Sequence, residues 1–212
     1  ILKHRGIGIE YDAGSGYRLT NQISLIDEHR LVEYLDHAGL VTAGRLTVLD
    51  TVESTNNQLL QWMDRDTLHG RACIAEYQLK GRGRHGRSWF AAPYCNVALS
   101  LAWKTECELA LISSVSLAAG LAVARVLERT GLTQVQLKWP NDIVFDQGKL
   151  GGILVEVKRS PDNGCDIVVG VGVNLNNPAG VLKQVGQAVT NLQDVVNTQL
   201  DRTQLIGEIL VE

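Results

Sequence analysis

The sequence lacks the features that mark a membrane, secreted or metal-binding protein. It has only 4 cysteines and 4 prolines in 212 residues, and the cysteines form no CxxC pair and have no histidine at metal-ligand spacing. Its longest uncharged runs, among them residues 109–124, are shorter than the roughly 20 residues that a bilayer requires. We therefore expect a reduced, cytoplasmic protein without a membrane segment.

An excess of charge of one sign is also missing. The 20 basic and 23 acidic side chains give a net charge of -3, so affinity for a polyanion must come from a local patch. Hydrophobic residues make up 45% of the chain and charged residues 20%, a composition typical of a compact globule. The first residue is not methionine, and we expect a fragment of a longer chain.

Strand-like and helical segments alternate along most of the chain. Before residue 130 the pattern predicts strands at about 45–52, 72–78 and 97–103, helices at about 27–39 and after residue 54, and a buried core helix at 108–129. Four further strand-like runs lie between residues 135 and 173, with turns too short to hold helices between them. The sequence therefore predicts an α+β (α/β) fold in which helices flank a mixed β-sheet.

The N-terminal residues predict a separate small element. Two short strand-like runs within residues 7–20 flank the turn Asp12-Ala13-Gly14-Ser15-Gly16, which is typical of a hairpin. An isolated hairpin is only marginally stable in water, so we expect it to belong to a unit whose earlier part is absent. The predicted division is residues 1–22 for this remnant and residues 23–212 for the main domain.

The most informative stretch is a loop rich in glycine and arginine at residues 78–90. Gly81, Gly83 and Gly86 match the GxGxxG pattern of dinucleotide-binding proteins, but the loop leads into a strand and not into a helix that could receive a pyrophosphate. Residues 78–104 contain no acidic residue and carry a local charge of +5, from Lys80, Arg82, Arg84, Arg87 and Lys104. Glycines allow close approach to a ligand and arginines offer forked donors, so we interpret the loop as a flap over an anionic ligand. The alternative is a solvated basic turn.

A second group of candidate residues flanks a tight hairpin. It consists of Lys138-Trp139-Pro140-Asn141-Asp142 and the run from Gly148 to Glu156, which begins Gly148-Lys149. Two lysines and an Asn-Asp pair could place cations at a phosphate and an acidic group near a metal. In the alternative interpretation, Asn141-Asp142 is simply a turn and Lys149 is a surface charge.

A third group, Ser54-Thr55-Asn56, precedes a predicted helix. Capping of that helix is the simple interpretation, and capping can coexist with ligand contact at a helix N-terminus. The sequence has no HExxH motif, no Walker GxxxxGK[ST] motif and no defensible Ser-His-Asp arrangement, which disfavours hydrolase and P-loop functions.

Six motifs together resemble one known family. In chain order they are Glu53-Ser54-Thr55-Asn56, Glu76-Tyr77-Gln78, the GRGRHGR run from Gly81 to Arg87, the KWPND run from Lys138 to Asp142, the KLGGILVE run from Lys149 to Glu156, and the GVGVN run from Gly170 to Asn174. This order closely resembles the bacterial biotin-protein ligases, over about residues 25 to 212. The hairpin at residues 7–20 also resembles the wing of the N-terminal winged-helix domain in bifunctional members.

The resemblance implies a catalytic domain related to the class II aminoacyl-tRNA synthetases and a two-step reaction. Biotin and ATP, with Mg2+, would give biotinoyl-5'-AMP and pyrophosphate, and the acyl group would then pass to a lysine of the biotin carboxyl carrier protein of acetyl-CoA carboxylase. The family also implies a homodimer on ligand binding. We expect that operator DNA is contacted only through a helix-turn-helix outside residues 1–212, and that the family's small C-terminal β-domain also lies outside them.

The resemblance also implies roles for individual residues. Biotin would be bound by Ser54, Thr55, Asn56, Gln78, Gly81, Arg82, Gly83, Arg84, Lys149, Gly151 and Gly152. The nucleotide would be bound by Arg82, Arg84, Arg87, Trp89, Lys138, Asn141, Asp142 and Asn174. The catalytic set would be Lys149, Arg84, Lys138 and Asp142, with Mg2+ near Asp142 and no firm set of metal ligands.

Elementary chemistry agrees with this assignment. A free carboxylic acid with a pKa of about 4 to 5 is ionised at neutral pH, so its attack on the α-phosphorus of ATP requires positive charge rather than a general base. Three other functions stay open at this point: a lipoate or octanoate transferase of the same fold, a non-catalytic repressor that senses biotin, and an inactive homologue.

Overall fold

The computed structural model describes residues 7–19, 23–40, 44–62, 69–105, 112–159 and 165–212. The strands are β1 (Ile9–Asp12), β2 (Gly16–Leu19), β3 (Leu46–Val52), β4 (Arg71–Gln78), β5 (Asn96–Thr105), β6 (Gln136–Lys138), β7 (Asp142–Phe145), β8 (Gly148–Arg159) and β9 (Cys165–Asn174). The helices are α1 (Glu28–His37), α2 (Thr55–Trp62), α3 (Ile112–Arg129), α4 (Ala179–Leu182) and α5 (Arg202–Val211). Cys107 and the predicted start of the long helix at 108–111 lie outside the described residues.

The main sheet confirms the predicted mixed α+β architecture. Its seven strands follow the order β3-β4-β5-β9-β8-β7-β6, in which β3 and β4 are parallel and all other neighbours are antiparallel. Helices α1, α3 and α5 lie together over this sheet, and α2 packs separately against β4, β5 and β9. The predicted N-terminal hairpin forms as the separate two-stranded sheet of β1 and β2.

Strand β9 shows how the sequence gives the sheet two different faces. Side chains alternate along a strand, and Val169, Val171 and Val173 enter the main hydrophobic core. On the alternate positions, Gly170 and Gly172 leave the opposite face without side chains, so Asn56 and Trp89 can lie directly against the strand. The alternation of glycine and valine therefore builds a packed core on one face and a shallow floor on the other.

The predicted buried core helix has one buried face and one exposed face among the described residues of α3. Val123, Val126 and Leu127 are buried in the core, whereas Leu117 and Leu121 are 42% and 46% exposed. A helix in the outer layer meets the sheet on one face only, so its other face stays open even when it carries no charge. Among the described residues, no helix is both long enough and apolar enough to cross a bilayer.

The described cysteines are free thiols that fit the expected packing role. Cys73 and Cys165 are buried, and Cys95 is half-buried. Burial raises the pKa of the Cys73 thiol to about 12, because a thiolate would lose its hydration. The Cys73 thiol therefore stays protonated and unreactive at neutral pH.

A buried ion pair joins α5 to strand β4 of the sheet. Arg202 Nη1 donates to Glu76 Oε2 at 2.8 Å, and the two side chains are only 5% and 7% exposed. Arg202 also donates to the carbonyls of Ser24 and Asn96, and Glu76 Oε1 accepts from the backbone N–H of Ile26 at 2.6 Å. These bonds tie the segment before α1, strands β4 and β5, and α5 into one unit.

We expect Arg202→Met to lower the free energy of unfolding by about 3 to 5 kcal/mol, because it leaves the Glu76 carboxylate buried without its cation. The matched control is Arg30→Met, which breaks the pair between Arg30 and Asp201 at 2.7 Å, where the side chains are 53% and 35% exposed. That variant should cost only about 0 to 1 kcal/mol. Urea denaturation of both variants checks the prediction, and equal losses would contradict it.

Candidate active site

A cleft of about 770 Å³ lies on the α2 side of the sheet, within the size range of small-molecule sites. Its walls are the start of α2, the arginine-rich loop, the turn between β6 and β7, and the segment at 185–189. Fifteen residues expected from the sequence line it, namely Ser54, Thr55, Asn56, Gln78, Arg82, Gly83, Arg84, Arg87, Trp89, Lys138, Asn141, Asp142, Lys149, Gly152 and Asn174. The structure therefore brings together segments that are up to 120 residues apart in the chain.

Two expected biotin-binding residues, Gly81 and Gly151, do not line the cleft. A Cβ on Gly81 would stand 2.7 Å from the carbonyl oxygen of Trp89, and a Cβ on Gly151 would stand 2.8 Å from that of Gly172. Both positions require glycine because two backbone segments approach closely there. The structure gives these residues a packing role behind the cleft wall.

The start of α2 supplies a chain of polar groups on the cleft wall. The backbone N–H and Oγ1 of Thr55 both donate to Oε1 of Gln78, at 2.8 and 3.1 Å. Behind them, Ser100 Oγ lies 2.7 Å from Thr55 Oγ1 and 2.5 Å from Asn56 Oδ1. The side chain of Gln78, at the end of β4, thus accepts from the first N–H of the helix and also lines the cleft, whereas ligand contact by residues 54–56 stays a prediction.

The arginine-rich loop is itself a short hairpin, which we call the arginine hairpin (residues 81–89). The backbone N–H of Trp89 donates to the carbonyl of Gly81 at 2.8 Å and closes its base. At its tip, His85 has a φ of 56°, in the left-handed region. The predicted flap therefore has a defined backbone shape, in which Arg82 and Arg87 are exposed and Arg84 is half-buried.

Trp89 covers part of the cleft floor. Its ring packs on Gly172, where an added Cβ would stand 2.8 Å from the ring, and it also lies close to Gly152. The Lys149 ammonium lies 5.6 Å from the ring centroid. Within the described residues, the buried indole Nε1–H of Trp89 has no hydrogen-bond acceptor.

Lys149 is held by a carboxylate inside the cleft. Its Nζ donates to Asp142 Oδ1 at 2.6 Å, and the two side chains are 18% and 22% exposed. The Asp142 carboxylate is therefore already engaged by an ammonium group, which disfavours it as the core of a metal site. In the described ranges no group of three or more His, Cys, Asp or Glu side chains could hold a metal ion.

The remaining cations of the cleft fall into two groups. Arg82 is bound by the Glu156 carboxylate at 2.7 and 2.8 Å. For Arg84, Arg87 and Lys138, no carboxylate partner lies within the part of the chain that the structure describes. These three side chains are therefore the positive groups that are available to an anionic ligand.

A buried cluster of asparagines fixes the backbone at Lys149. Asn174 Nδ2 donates to the Lys149 carbonyl at 3.0 Å, and Asn174 Oδ1 accepts from Asn177 at 3.2 Å. Asn177 and Asn96 exchange two side-chain hydrogen bonds of 2.7 and 2.8 Å, and Asn177 Oδ1 also accepts from the backbone N–H of Ala92. The amide of Asn174, expected to bind the nucleotide, thus has two protein partners, and it positions Lys149.

Sequence reasoning missed two parts of the cleft. Sequence reasoning gave the floor glycines, Gly170 and Gly172, no role of their own. Their alternation with valines could have indicated a strand face without side chains. No sequence pattern indicates the wall at 185–189, because this segment joins the site through backbone hydrogen bonds of Lys149 with Ala188 and Thr190, at 3.0 and 3.1 Å. Spatial pairing of this kind leaves no local pattern.

The chain is similar to the members of a known ligase family. The model of the biotin/lipoate A/B protein ligase family matches residues 48–174, more than half of the chain. A biotin--[acetyl-CoA-carboxylase] ligase of Mycobacterium tuberculosis is 34% identical over 192 residues, which are 88% of this chain and 69% of that protein. The chain therefore belongs to the biotin/lipoate A/B protein ligase family.

Further similarities lie with biotin ligases. The bifunctional ligase/repressor BirA of Salmonella typhimurium is 35% identical over 209 residues, which cover 99% of this chain but 63% of that protein. The solved structure of a biotin protein ligase from Aquifex aeolicus in complex with biotin and ATP matches with a TM-score of 0.64 and 31% identity, over 78% of this chain and 67% of that chain. The chain thus spans less than two thirds of the BirA protein that it matches.

Proposed function

We propose that this chain is the catalytic part of an ATP-dependent biotin ligase. It would activate biotin as biotinoyl-5'-AMP and transfer the acyl group to a lysine of the biotin carboxyl carrier protein of acetyl-CoA carboxylase. The observation that carries the proposal is the cleft, in which Arg84, Arg87 and Lys138 have no carboxylate partner among the described residues and the Lys149 side chain lies close to Gly152. The names of the similar proteins support biotin as the acid.

In the first step, a carboxylate oxygen of biotin forms a bond to the α-phosphorus of ATP, and the bond from that phosphorus to the β-phosphate oxygen breaks. Pyrophosphate carries the released electron pair, and no proton needs to move. Two anions must approach each other, so the cations of the cleft supply most of the stabilisation. We assign Lys149 to the biotin carboxylate and the α-phosphate, and Arg84, Arg87 and Lys138 to the phosphates.

The polar groups at the start of α2 suit the uncharged end of biotin. Thr55, Asn56 and Gln78 present hydroxyl and amide groups, which can bind an uncharged polar ring without adding charge. Gly170 and Gly172 make room for Asn56 and the ring of Trp89 against β9, so the body of the ligand would pack on these two side chains. The arginine hairpin would then close over the adenylate and exclude water from the reactive anhydride.

Mg2+ enters the proposal only as the companion of the triphosphate. The residues near Asp142 do not form a protein-held metal site, since that carboxylate is bound by Lys149. We therefore place no metal ligand in the chain and derive no step from the metal.

In the second step, the acceptor lysine amine attacks the acyl carbon, the bond to the AMP oxygen breaks, and the amine loses its proton. This step requires a partner protein at the mouth of the cleft. We also propose a cytoplasmic location and a homodimer on ligand binding, as the family resemblance implies. From the name of the ligase/repressor BirA we propose operator DNA binding by a longer protein that contains this chain. The two-stranded sheet of β1 and β2 would be the wing of that DNA-binding unit.

Transfer of biotin to a purified carrier protein tests the proposal. The chain, ATP, Mg2+ and biotin should biotinylate the carrier at one lysine, and mass spectrometry should locate the adduct. A carrier in which that lysine is arginine should stay unmodified. Labelling of the carrier with lipoate but not with biotin would favour the lipoate branch of the family. Biotin binding without transfer to the carrier would favour a biotin sensor.

A further inference from the structure

Ser100 lies on strand β5, beneath the start of α2. It pairs in register with Cys73 of β4, which packs under α2 with Leu59, and with Gly170 of β9. Paired residues of neighbouring strands point to the same face of a sheet, so the Ser100 hydroxyl faces α2 as well. Ser100 is 0% exposed and does not line the cleft. It can therefore act on a ligand only through the residues that it contacts.

The Ser100 hydroxyl contacts two residues of the cleft at once. Its Oγ lies 2.5 Å from Asn56 Oδ1 and 2.7 Å from Thr55 Oγ1. Both partners line the cleft, although each is only 3% exposed. A buried hydroxyl costs free energy unless it is hydrogen-bonded, and these two contacts satisfy it. Ser100 is thus a buried polar group that lies directly behind two ligand-facing residues.

The amide of Asn56 decides where the single hydroxyl hydrogen of Ser100 goes. Asn56 Nδ2 donates to Glu156 Oε2 at 2.8 Å and to the Leu154 carbonyl at 3.3 Å, so both of its hydrogens have acceptors. The Oδ1 end of the amide can only accept, and Ser100 therefore donates to it. The amide is held in one orientation, with Oδ1 in the space that a Cβ on Gly170 would take.

The hydroxyl of Thr55 is oriented as a consequence. Because Asn56 uses the Ser100 hydrogen, the 2.7 Å contact carries the Thr55 hydrogen, which is shared with Gln78 Oε1 at 3.1 Å. The Thr55 oxygen therefore offers only lone pairs to the cleft. Gln78 Oε1 also accepts from the backbone N–H of Thr55, which leaves the Nε2 group of Gln78 to donate to a ligand. This wall thus offers one acceptor, at Thr55, and one donor, at Gln78.

We propose that Ser100 is a positioning residue that sets the shape and the polarity of the biotin end of the cleft. It keeps the Asn56 amide against β9, out of the space of the ligand, and it keeps the Thr55 oxygen available as an acceptor. The cyclic urea of biotin carries N–H donors beside a carbonyl acceptor, which matches a wall with one acceptor and one donor. The inference rests on the proposed function for the identity of the ligand.

Steady-state kinetics of adenylate formation by Ser100→Ala test the inference. We expect the KM for biotin to rise about tenfold, because Asn56 Oδ1 loses its donor and is free to turn into the cleft. The kcat at saturating biotin and the KM for ATP should stay within about twofold of the parent values, because no cation of the cleft is touched. A general loss of structure would instead lower kcat and raise both KM values.

Cys73→Ala is the matched control. It also removes one γ atom from a residue that is 0% exposed, at the position paired with Ser100, but this atom lies in an apolar cluster with Leu59. Its KM for biotin should stay within about twofold of the parent value. An unchanged KM for biotin in Ser100→Ala, an equal rise in Cys73→Ala, or an equal fall in kcat would overturn the inference.

A measurement without ligand separates this inference from the proposed function. The side-chain amide hydrogens of Asn56 should exchange with solvent about tenfold faster in Ser100→Ala than in the parent or in Cys73→Ala, because the amide is held less firmly. Nuclear magnetic resonance of the ¹⁵N-labelled chain measures these rates, and equal rates in all three proteins would contradict the positioning of Asn56. If the parent forms no adenylate with biotin, the proposed function fails, while the exchange rates still decide whether Ser100 holds Asn56.

Discussion

Replacing Lys149 with alanine is expected to reduce the rate of adenylate formation by about 10²- to 10³-fold, the usual cost of removing one group aimed at developing charge. The ammonium lies in the cleft at 2.6 Å from Asp142, and its backbone is fixed by Asn174. In the variant, the transition state would lose a contact that strengthens as charge builds on the α-phosphate. We therefore expect kcat to fall more than the affinity for ATP. Pyrophosphate release in a coupled assay measures the change.

The control for this substitution is Lys158→Ala. Lys158 is an exposed lysine on the same strand, β8, and it does not line the cleft. Both variants should unfold within about 1 kcal/mol of the parent, since the pair of Lys149 with Asp142 is only partly buried. Undiminished activity of Lys149→Ala would remove Lys149 from the reaction.

Gly172→Ala is expected to weaken binding of biotin and ATP about 5- to 150-fold, which corresponds to the 1 to 3 kcal/mol cost of overpacking a close contact. The new Cβ would stand 2.8 Å from two ring atoms of Trp89, so the ring must move into the cleft. Strand β9 cannot shift away from the ring, because its opposite face is packed against the core by Val169, Val171 and Val173. Isothermal titration of biotin, with and without a non-hydrolysable ATP analogue, measures the loss.

Gly180→Ala is the matched control for that substitution. A Cβ at Gly180 meets nothing within 4 Å, and it lies in α4, so the same change of residue should leave affinity unaltered. The near-ultraviolet circular dichroism of Gly172→Ala should also change, because the environment of a tryptophan changes. Normal affinity together with a normal spectrum would mean that the ring of Trp89 does not form the floor of the ligand site.

The sequence allowed prediction of those features that have a local pattern. The short turns between residues 135 and 173 predicted antiparallel neighbours, and the sheet is antiparallel there. The arginine-rich loop was singled out by its glycines and local charge, and the KWPND run by its residue types beside a tight turn and by its resemblance to a known family; both line the cleft. Two groups that are close in sequence are constrained by the geometry of a strand or a turn, so their pattern carries structural information.

Partners that are distant in sequence could not be predicted in this way. Glu156 and Arg82 are 74 residues apart, and Arg202 and Glu76 are 126 residues apart. No local sequence pattern indicates the partner of a single carboxylate or guanidinium, because the order of strands in the sheet decides which strands become neighbours. For the same reason, an uncharged run such as 109–124 did not show which of its faces would be covered.

Mass-spectrometric detection of acyl-adenylates tests the central claim most directly. The chain is mixed with ATP, Mg2+ and an equimolar mixture of biotin and lipoate, and the products are identified while pyrophosphate is followed in parallel. We predict biotinoyl-5'-AMP without lipoyl-AMP, and one pyrophosphate for each adenylate. Lipoyl-AMP as the main product would contradict the account. So would the absence of any adenylate both from this chain and from a longer protein that contains it.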